Sequence, residues 1–227
     1  MPPRALSPSG LFLIDKPEGP SSFAVVADVR RRTGARTGHA GTLDPFATGL
    51  LLVLSGAATK LASCFVGLDK RYLATVDLTA RTDTGDREGQ VVQRAEAPRE
   101  DELERRLGAL RGEVELPIPT ASAVKIGGER AYRLHRQGVE VDMPLRRSRV
   151  DALDVISYSD GIVELDLRVS SGTYVRAIAA ALGGHCTALR RAEVGPFRVE
   201  EADPARLIPA EDALARVGVR DGGRRRR

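Results

Sequence analysis

The sequence predicts an α+β protein with a mostly antiparallel sheet flanked by helices. Segments 70–78 and 162–169 alternate between apolar and polar residues, as half-buried strands do. Segment 98–112 instead repeats leucines at the spacing of an amphipathic helix. Because no internal repeat or long linker divides the chain, we expect these elements to share one domain.

The first quarter of the chain predicts a strand, a helix and a second strand. Residues 10–15, GLFLID, form the first strand, and the turn KPEGPSS follows it. Ser22 is the expected N-cap of a helix over residues 23–32, which Gly34 ends. The apolar run in TGLLLVLSG, residues 48–56, predicts a buried strand.

The middle of the chain predicts two helices with a strand between them. A helix is expected near residues 58–67, where apolar residues recur at helical spacing. Strand 70–78 then places Tyr72 on one face with three apolar side chains. In 98–112, acidic residues come first and arginines later, as the helix dipole favours, and Gly112 is the expected end.

The last part predicts three more helices around the clearest strand, 162–169. A short helix ends at Gly138 before this strand, and the segment SSGTYVRAIAAALGG after it turns into a helix with Arg176 in its first turn. Residues 207–218 predict the last helix. The buried stripe expected on the Arg176 helix consists of Val175, Ile178, Ala179 and Leu182.

Composition places the chain among ordinary soluble proteins. Hydrophobic residues make up 42% and charged residues 29%, and no apolar stretch reaches the length of a bilayer span. The opening MPPRALSPSG lacks the apolar core of a signal peptide. We therefore expect a cytoplasmic protein without a membrane partner.

The cysteine and histidine pattern predicts neither disulfides nor a metal. Cys64 and Cys186 are the only cysteines and are expected to be small buried apolar residues. His185 adjoins Cys186, but His39 and His135 show no ligand spacing, so we expect no metal site and no cofactor.

Positive charge is local rather than general. The formal net charge is +4, and the last four residues are all arginines. A polyanion is therefore a plausible partner for one face of the protein. The basic clusters are RRRTGAR (30–36), RRSR (146–149), Arg190 with Arg191, and the C-terminal tail, whereas acidic residues gather at 99–104.

The loop GHAGTLDPFATG, residues 38–49, places one carboxylate, that of Asp44, among three glycines and next to a proline. Pro45 pushes Asp44 into an extended conformation, and the glycines allow sharp turns, so the carboxylate has a set direction. The alternative is that Asp-Pro only starts a turn, although the neighbouring His39 favours a site. A phosphate-binding P-loop is excluded because Leu50, and not lysine, follows Gly49.

Arg176 is the expected partner of this carboxylate. A cation in the first turn of a helix opposes the dipole at a cost of about 0.3–1 kcal/mol, which an ion pair with Asp44 would offset. The alternative is a solvated surface arginine. For Tyr72 the alternative is a tyrosine at the edge of the core.

Seven stretches in this order are similar to those of the bacterial tRNA pseudouridine-55 synthases, the TruB family. The resemblance runs from about Gly10 to Ala213, and the aspartate loop is its most specific part. It implies the pseudouridine synthase fold. The stretches are GLFLIDKPEGPSS, GHAGTLDPFATG, KRYLATVDL, TDTGDREG, SAVKIGGERAYRL, SSGTYVRAIA and LRRAEVGPF.

The resemblance implies a role for six residues. Asp44 would be the catalytic nucleophile and Arg176 its ion-pair partner, while Tyr72 would stack on the target uracil and manage the C5 proton. The remaining three would bind the substrate, with Tyr174 and Leu189 lining the uridine pocket and His39 holding the extruded base.

The implied reaction converts uridine 55 in the T-loop of tRNA to pseudouridine without a cofactor. The partner would be the tRNA T stem-loop, bound by a monomer that flips the nucleotide out of the loop. Whether the carboxylate attacks uracil C6 or ribose C1′ stays open.

The chain departs from the family pattern in three places. Between TYVRAIAAALG and LRR, where the family has a longer passage, only GHCTA follows Gly183, so we expect a reshaped pocket wall near Leu189. Family members carry a tyrosine before SAVK, where this chain has Ala121. They continue into a C-terminal RNA-binding domain of the PUA type, which we expect to be absent here and partly replaced by the arginine tail. We thus predict a disordered start over 1–9, a catalytic domain over 10–213 and a flexible basic tail over 214–227.

Three other functions compete with this interpretation. A catalytically inactive module that binds or folds tRNA would keep the basic cleft but would not need Asp44 beside phosphates. A glycosidase would need a second acid across the scissile bond, and the sequence offers no such motif. A guided synthase of an RNA-protein particle would rely on the C-terminal domain.

Overall fold

A computed structural model describes residues 9–219 of the 227-residue chain. Between those residues it contains fourteen strands and six α-helices, and two 3₁₀ segments, Gly56–Leu61 and Val199–Glu201. The strands are β1 (Gly10–Lys16), β2 (Thr37–His39), β3 (Thr48–Ser55), β4 (Lys70–Asp77), β5 (Ala80–Thr82), β6 (Val91–Arg94), β7 (Gly112–Pro117), β8 (Lys125–Ile126), β9 (Glu129–Arg130), β10 (Leu145–Ser159), β11 (Ile162–Val169), β12 (His185–Val194), β13 (Phe197–Arg198) and β14 (Leu207–Pro209). The helices are α1 (Ser22–Thr33), α2 (Ala62–Val66), α3 (Glu100–Gly108), α4 (Ala131–Arg136), α5 (Val175–Ala181) and α6 (Ala210–Arg216).

The chain divides into two compact units where we expect one domain. Unit 1 comprises Met1–Arg71 and Arg190–Arg227, and unit 2 comprises Tyr72–Leu189. The predicted start of the tail, at residue 214, falls inside α6. Residues 1–8 and 220–227, which contain most of the predicted disordered start and basic tail, lie outside the described residues.

Unit 1 is organised around the buried strand β3. β1 pairs antiparallel with β3 from Gly10↔Ser55 to Lys16↔Gly49, and β14 covers the other edge of β1. The C-terminal part of β12 runs parallel to the start of β3. Because β3 is buried on both faces, its apolar run packs against α1 on one side and against a cluster that contains Phe65 and Phe197 on the other.

Helix α1 begins one residue earlier than the sequence predicts. Ser21, and not Ser22, is the N-cap, and its side chain accepts a hydrogen bond from Ala24 N at 3.2 Å. Ser22 is instead buried within the helix. Gly34 is the left-handed C-cap that the sequence predicts.

Unit 2 carries the strands in the order β12, β4, β11, β10, β7. The inward residues of β11 are buried, as the alternating pattern predicts. The predicted stripes of α3 and α5 are buried as well. Antiparallel pairing joins β10 to both β11 and β7.

Two of the predicted helices differ in the structure. The helix expected at 58–67 begins as a 3₁₀ segment, in which the Thr59 hydroxyl donates to the Gly56 carbonyl, and only Ala62–Val66 is α-helical. Helix α3 ends at Gly108 instead of Gly112, which starts β7. Of the two cysteines, Cys186 is buried as predicted, whereas Cys64 is only partly buried.

The longest strand, β10, is absent from the sequence predictions. Its pairing with β11 shifts between Val150 and Ala152 and again between Val155 and Ser157. Each irregularity moves the following residues to the other face, so the apolar positions lose their period of two. None of the helices between residues 9 and 219 has the length and hydrophobicity that a bilayer crossing requires.

Candidate active site

The loop that contains Asp44 lies in unit 1 between β2 and β3. Asp44 is half-buried, and its neighbours Leu43 and Phe46 are anchored in the core with 3% and 2% of their surfaces exposed. The Asp44 carbonyl accepts a hydrogen bond from Ala47 N at 3.1 Å, so Asp-Pro does start a turn here. The buried flanks fix the backbone from which the carboxylate projects.

A buried lysine donates hydrogen bonds to the backbone of this turn. Lys16 is completely buried, and its Nζ donates to the carbonyls of Ala47 at 2.7 Å and Pro45 at 3.1 Å. The backbone N–H of Gly19 donates to the same Pro45 carbonyl at 2.9 Å. Lys16 therefore ties the end of β1 to the residues that follow Asp44.

Ser22 holds the residue before Asp44. Its Oγ donates to the Leu43 carbonyl and accepts from the Leu43 N–H, both at 2.8 Å. These two hydrogen bonds satisfy the backbone N–H and carbonyl of Leu43, as a neighbouring strand would, and they join the loop to the first turn of α1.

Arg191 holds the beginning of the loop. The side chain is 1% exposed, and it donates from Nε to the Leu50 carbonyl at 2.7 Å, from Nη2 to Gly41 at 3.1 Å and from Nη1 to Thr42 at 3.3 Å. The backbone of Arg191 reaches β3 at Gly49, where a Cβ would lie 2.3 Å from the Arg191 carbonyl oxygen. Only glycine permits this approach, because φ at residue 49 is also +103°.

His39 lies at the start of the same loop, at the end of β2, and is half-buried. Burial, followed by the positive charge of Arg191, lowers the pKa of His39 below its usual value. Both effects favour the neutral form of the imidazole. Its Nδ1 is buried and has no hydrogen-bond partner among residues 9–219.

In unit 2, Arg176 is buried and not solvated, so the surface alternative is wrong. Its side chain is 3% exposed, and it donates from Nη1 to the Thr84 carbonyl at 2.8 Å and from Nη2 to the Ala121 carbonyl at 3.0 Å. Nη1 also lies 3.3 Å from Oδ2 of Asp86, whose side chain is 6% exposed. These three partners set the direction of the guanidinium.

Asp86 is itself fixed by its own loop. Its Oδ1 accepts hydrogen bonds from the Thr84 hydroxyl at 2.7 Å and from Glu88 N at 3.0 Å. The neighbouring Gly85 carbonyl accepts from Cys186 N at 3.0 Å, which ties the loop to β12. The Asp86 side chain is thus a rigid support for Arg176.

The other predicted residues of unit 2 lie on three elements. Tyr72 and Leu189 are each 7% exposed, on β4 and β12, and Tyr174 is half-buried at the N-cap of α5. Tyr72 shares its face of β4 with buried apolar residues, as predicted. Unit 1 carries His39 and Asp44, and unit 2 carries these three and Arg176; the pairing of Asp44 with Arg176 remains a prediction.

The structure alters the predicted basic surfaces. Arg191 is a buried structural residue, and Arg190 forms an ion pair with Asp15 at 2.8 Å. Arg31 and Arg32 likewise contact Asp28. These arginines therefore have acidic or carbonyl partners within the protein, and Arg191 in particular is not a phosphate ligand.

Sequence reasoning missed four residues that position the site: Lys16, Ser22, Asp86 and Arg191. Lys16, Ser22 and Arg191 lie where the sequence predicts a turn, a helix cap and a basic surface. The available signal for Arg191 was strand periodicity, since a strand places Leu189 and Arg191 on the same face. The signal for Asp86 is an acidic residue within TDTGDREG, one of the stretches similar to the family.

The fold and the similarity to known proteins define the class, a pseudouridine synthase. Residues 30–175 match the model of the TruB family pseudouridylate synthase N-terminal domain. The chain belongs to the TruB family of pseudouridylate synthases.

Relatives and a solved structure support this assignment. The chain is 42% identical to the tRNA pseudouridine synthase B of Mycobacterium sp. (strain KMS), over 91% of this chain and 74% of the relative. It is 44% identical to that of Leifsonia xyli subsp. xyli (strain CTCB07), over 91% and 76%. A solved Cbf5-Nop10-Gar1 complex contains a chain with 27% identity and a TM-score of 0.63, covering 83% of this chain and 50% of that one. The protein thus spans about half the length of that solved chain.

Proposed function

We propose that the protein converts uridine 55 in the T-loop of tRNA to pseudouridine, with Asp44 as the nucleophile. The observation that carries this proposal is the loop around Asp44, whose backbone is held on both sides by buried donors, Lys16 and Ser22. A family member named for tRNA is similar over most of the chain. A loop that only connects two strands would not need such support.

The reaction is an isomerisation in which no atom is gained or lost. The glycosidic bond between ribose C1′ and uracil N1 breaks, the base turns, and a bond forms between C1′ and C5, whose proton is released as N1 gains one. A carboxylate assists by forming a temporary covalent bond, either to uracil C6 or to ribose C1′. This chemistry requires an ionised Asp44 and no redox or metal cofactor.

We assign Arg176 as the partner of Asp44 in the substrate-binding state. An adjacent positive charge favours the ionised form of a carboxylate and fixes its direction. Asp86, Thr84 and Ala121 hold the guanidinium in place from within unit 2. Ala121 contributes through its carbonyl, so the tyrosine that the family carries there is not needed for this contact.

The target base is bound by side chains with suitable chemistry. Tyr72 would stack on the flipped uracil and take part in removing the C5 proton, since base flipping costs a few kcal/mol that stacking helps to offset. Tyr174 and Leu189 would line the uridine pocket. His39, whose neutral form is favoured by burial and whose Nδ1 has no hydrogen-bond partner among residues 9–219, would hold the extruded base.

The partner is the T stem-loop of tRNA, recognised by its shape and its phosphates. We propose that the protein acts as a monomer in the cytoplasm. An inactive tRNA-binding module would not require the Asp44 loop to be fixed so firmly.

The test is the release of tritium from tRNA labelled at uridine C5, with Asp44→Asn compared with the wild type. We expect release by the wild type and a loss of at least about a thousandfold in the variant, because an amide cannot act as the nucleophile. Asp28→Asn, an exposed carboxylate that pairs with Arg31, is the control and should retain activity. Equal release by Asp44→Asn would contradict the assignment, and no release by the wild type would favour the binding module.

A further inference from the structure

Arg146 makes a close contact with the loop that leads into α5. The residue lies on β10, and a Cβ on Gly172 would be 2.2 Å from its Nη2 and 2.7 Å from its Cζ. The guanidinium therefore rests directly on the backbone of Gly172, where any side chain would displace it. Gly172 is two residues from Tyr174, which we place in the uridine pocket.

The loop beneath this guanidinium is rigid. Ser170 N donates to the Arg149 carbonyl at 2.8 Å, and Arg149 N donates to Ser170 Oγ at 2.9 Å. The Thr173 hydroxyl donates to the Ser170 carbonyl at 2.9 Å. These hydrogen bonds fix the loop at residues 170–173 relative to β10, the strand that carries Arg146.

Arg146 differs from the other two arginines of its cluster in its partners. Arg147 lies 3.6 Å from Glu115, and Arg149 lies 2.7 Å from Asp151. Arg146 has no carboxylate partner among residues 9–219. It also lies on the opposite face of β10, with the buried Ser148, because side chains of a strand alternate. Its position and its uncompensated charge are those of a residue that binds an external anion.

We propose that Arg146 binds a phosphodiester of the RNA substrate next to the target nucleotide. This inference rests on the proposed function, which supplies RNA as the polyanion. The planar guanidinium presents paired N–H donors that match two phosphate oxygens. The guanidinium lies against the backbone of Gly172, so a phosphate bound there would position the strand on either side of the flipped uridine.

The experiment measures binding of a T stem-loop RNA over a range of salt concentrations, in an Asp44→Asn background so that the RNA is not converted. A phosphate ligand contributes about 0.7 to 0.9 to the slope of log affinity against log salt. We expect Arg146→Gln to bind about tenfold more weakly at about 50 mM salt and to lower the slope by about 1. Its loss of affinity should become about threefold smaller at about 200 mM salt.

Two variants serve as matched controls. Arg147→Gln removes the same charge from the next position of the strand and should leave the slope unchanged. Arg146→Lys keeps the charge but not the paired donors, so it should keep the slope and lose only part of the affinity. Thermal unfolding of each variant reports whether the fold is intact.

Two results would overturn the proposal: a wild-type slope in Arg146→Gln, or an equal reduction in Arg147→Gln. Failure of the proposed function would differ from both. In that case the protein without any Arg146 change would not prefer a T stem-loop over an anticodon stem-loop RNA.

Discussion

Oδ2 of Asp86 lies 3.3 Å from Nη1 of Arg176, and both side chains are almost completely buried. A buried charge is costly unless it is paired and hydrogen-bonded, so each residue depends on the other for its position. Hydrogen bonds from the Thr84 hydroxyl and the Glu88 N–H fix the Asp86 carboxylate. The carboxylate in turn restricts the orientation of the Arg176 guanidinium. The direction of Arg176 is therefore set within unit 2, before any substrate is bound.

Asp86→Ala should destabilise the protein by about 3–5 kcal/mol, because it leaves one of two buried charges without its partner. Urea unfolding measures this loss. Asp86→Asn keeps a side-chain oxygen and should cost less, while still slowing single-turnover tritium release because the guanidinium loses its charged support. Asp101→Asn, at an exposed ion pair with Arg99, is the control and should unfold like the wild type. Wild-type stability in Asp86→Ala would show that the pair is not important for the fold.

The elements predicted from the sequence are those with uninterrupted patterns. β11 alternates over eight residues and the apolar run of β3 is flanked by glycines, so their existence could be deduced from spacing alone. β10 could not be deduced in this way, because two shifts in its pairing with β11 place apolar residues on both faces of the strand. β12 could not be deduced either, because the buried Arg191 interrupts the apolar residues of its inward face. The periodicity that places Arg191 on the face of Leu189 indicates burial only once β12 is known to be a strand, and the arginine itself obscures that strand.

Lys16→Met should uncouple the Asp44 turn from β1. Methionine fills similar space but donates no hydrogen bond, so the buried Ala47 carbonyl loses its 2.7 Å partner at a cost of about 1–3 kcal/mol. We expect the single-turnover rate to fall further than this stability loss explains, since the turn carries Asp44. The measurement is tritium release at a temperature where urea unfolding shows the variant to be folded.

The control for this substitution is Lys60→Met, at an exposed lysine of the same unit. It should keep both activity and stability. If Lys16→Met kept the wild-type rate, the position of the turn would not depend on this lysine.

Gly49→Ala should prevent stable folding of unit 1. The added Cβ would lie 2.3 Å from the carbonyl oxygen and 2.7 Å from the nitrogen of Arg191, and backbone atoms of two paired strands cannot yield as a flexible side chain does. The positive φ adds about 1–2 kcal/mol. Soluble yield and the midpoint of thermal unfolding measure the effect.

Gly38→Ala is the matched control from the same loop. A Cβ at Gly38 would meet no atom within 4 Å, and its φ is not positive. The variant should therefore unfold at nearly the wild-type temperature. Equal midpoints for the two alanine variants would show that the β3 and β12 backbones can separate at little cost.

Some site residues, like some elements of the fold, can be identified from the local sequence, and others cannot. Asp44 and Arg176 stand out because their local sequence is unusual, an Asp-Pro among glycines and a cation in the first turn of a helix. The residues that hold them do so across long separations, as Lys16 does with Ala47 and Arg191 with Gly41. No spacing rule relates such partners, so their roles could be found only in the folded structure.

Lys70 should make stability depend on alkaline pH. Burial, with a further contribution from the charge of Arg191, lowers the pKa of Lys70 to about 8, against the raising effect of Asp69. Below about pH 8 both the folded and unfolded states bind the proton, so this lysine adds no pH dependence. Between about pH 8 and the usual pKa of about 10.4 only the unfolded state binds it, and stability rises with pH by about 3 kcal/mol at most.

Urea unfolding of the wild type and Lys70→Met from about pH 7 to about pH 10 should show a difference in free energy of unfolding that grows only above pH 8. Lys125→Met, at an exposed lysine, corrects for the other groups that titrate in this range, and a constant difference for Lys70→Met would mean that Lys70 keeps its usual pKa in the folded protein.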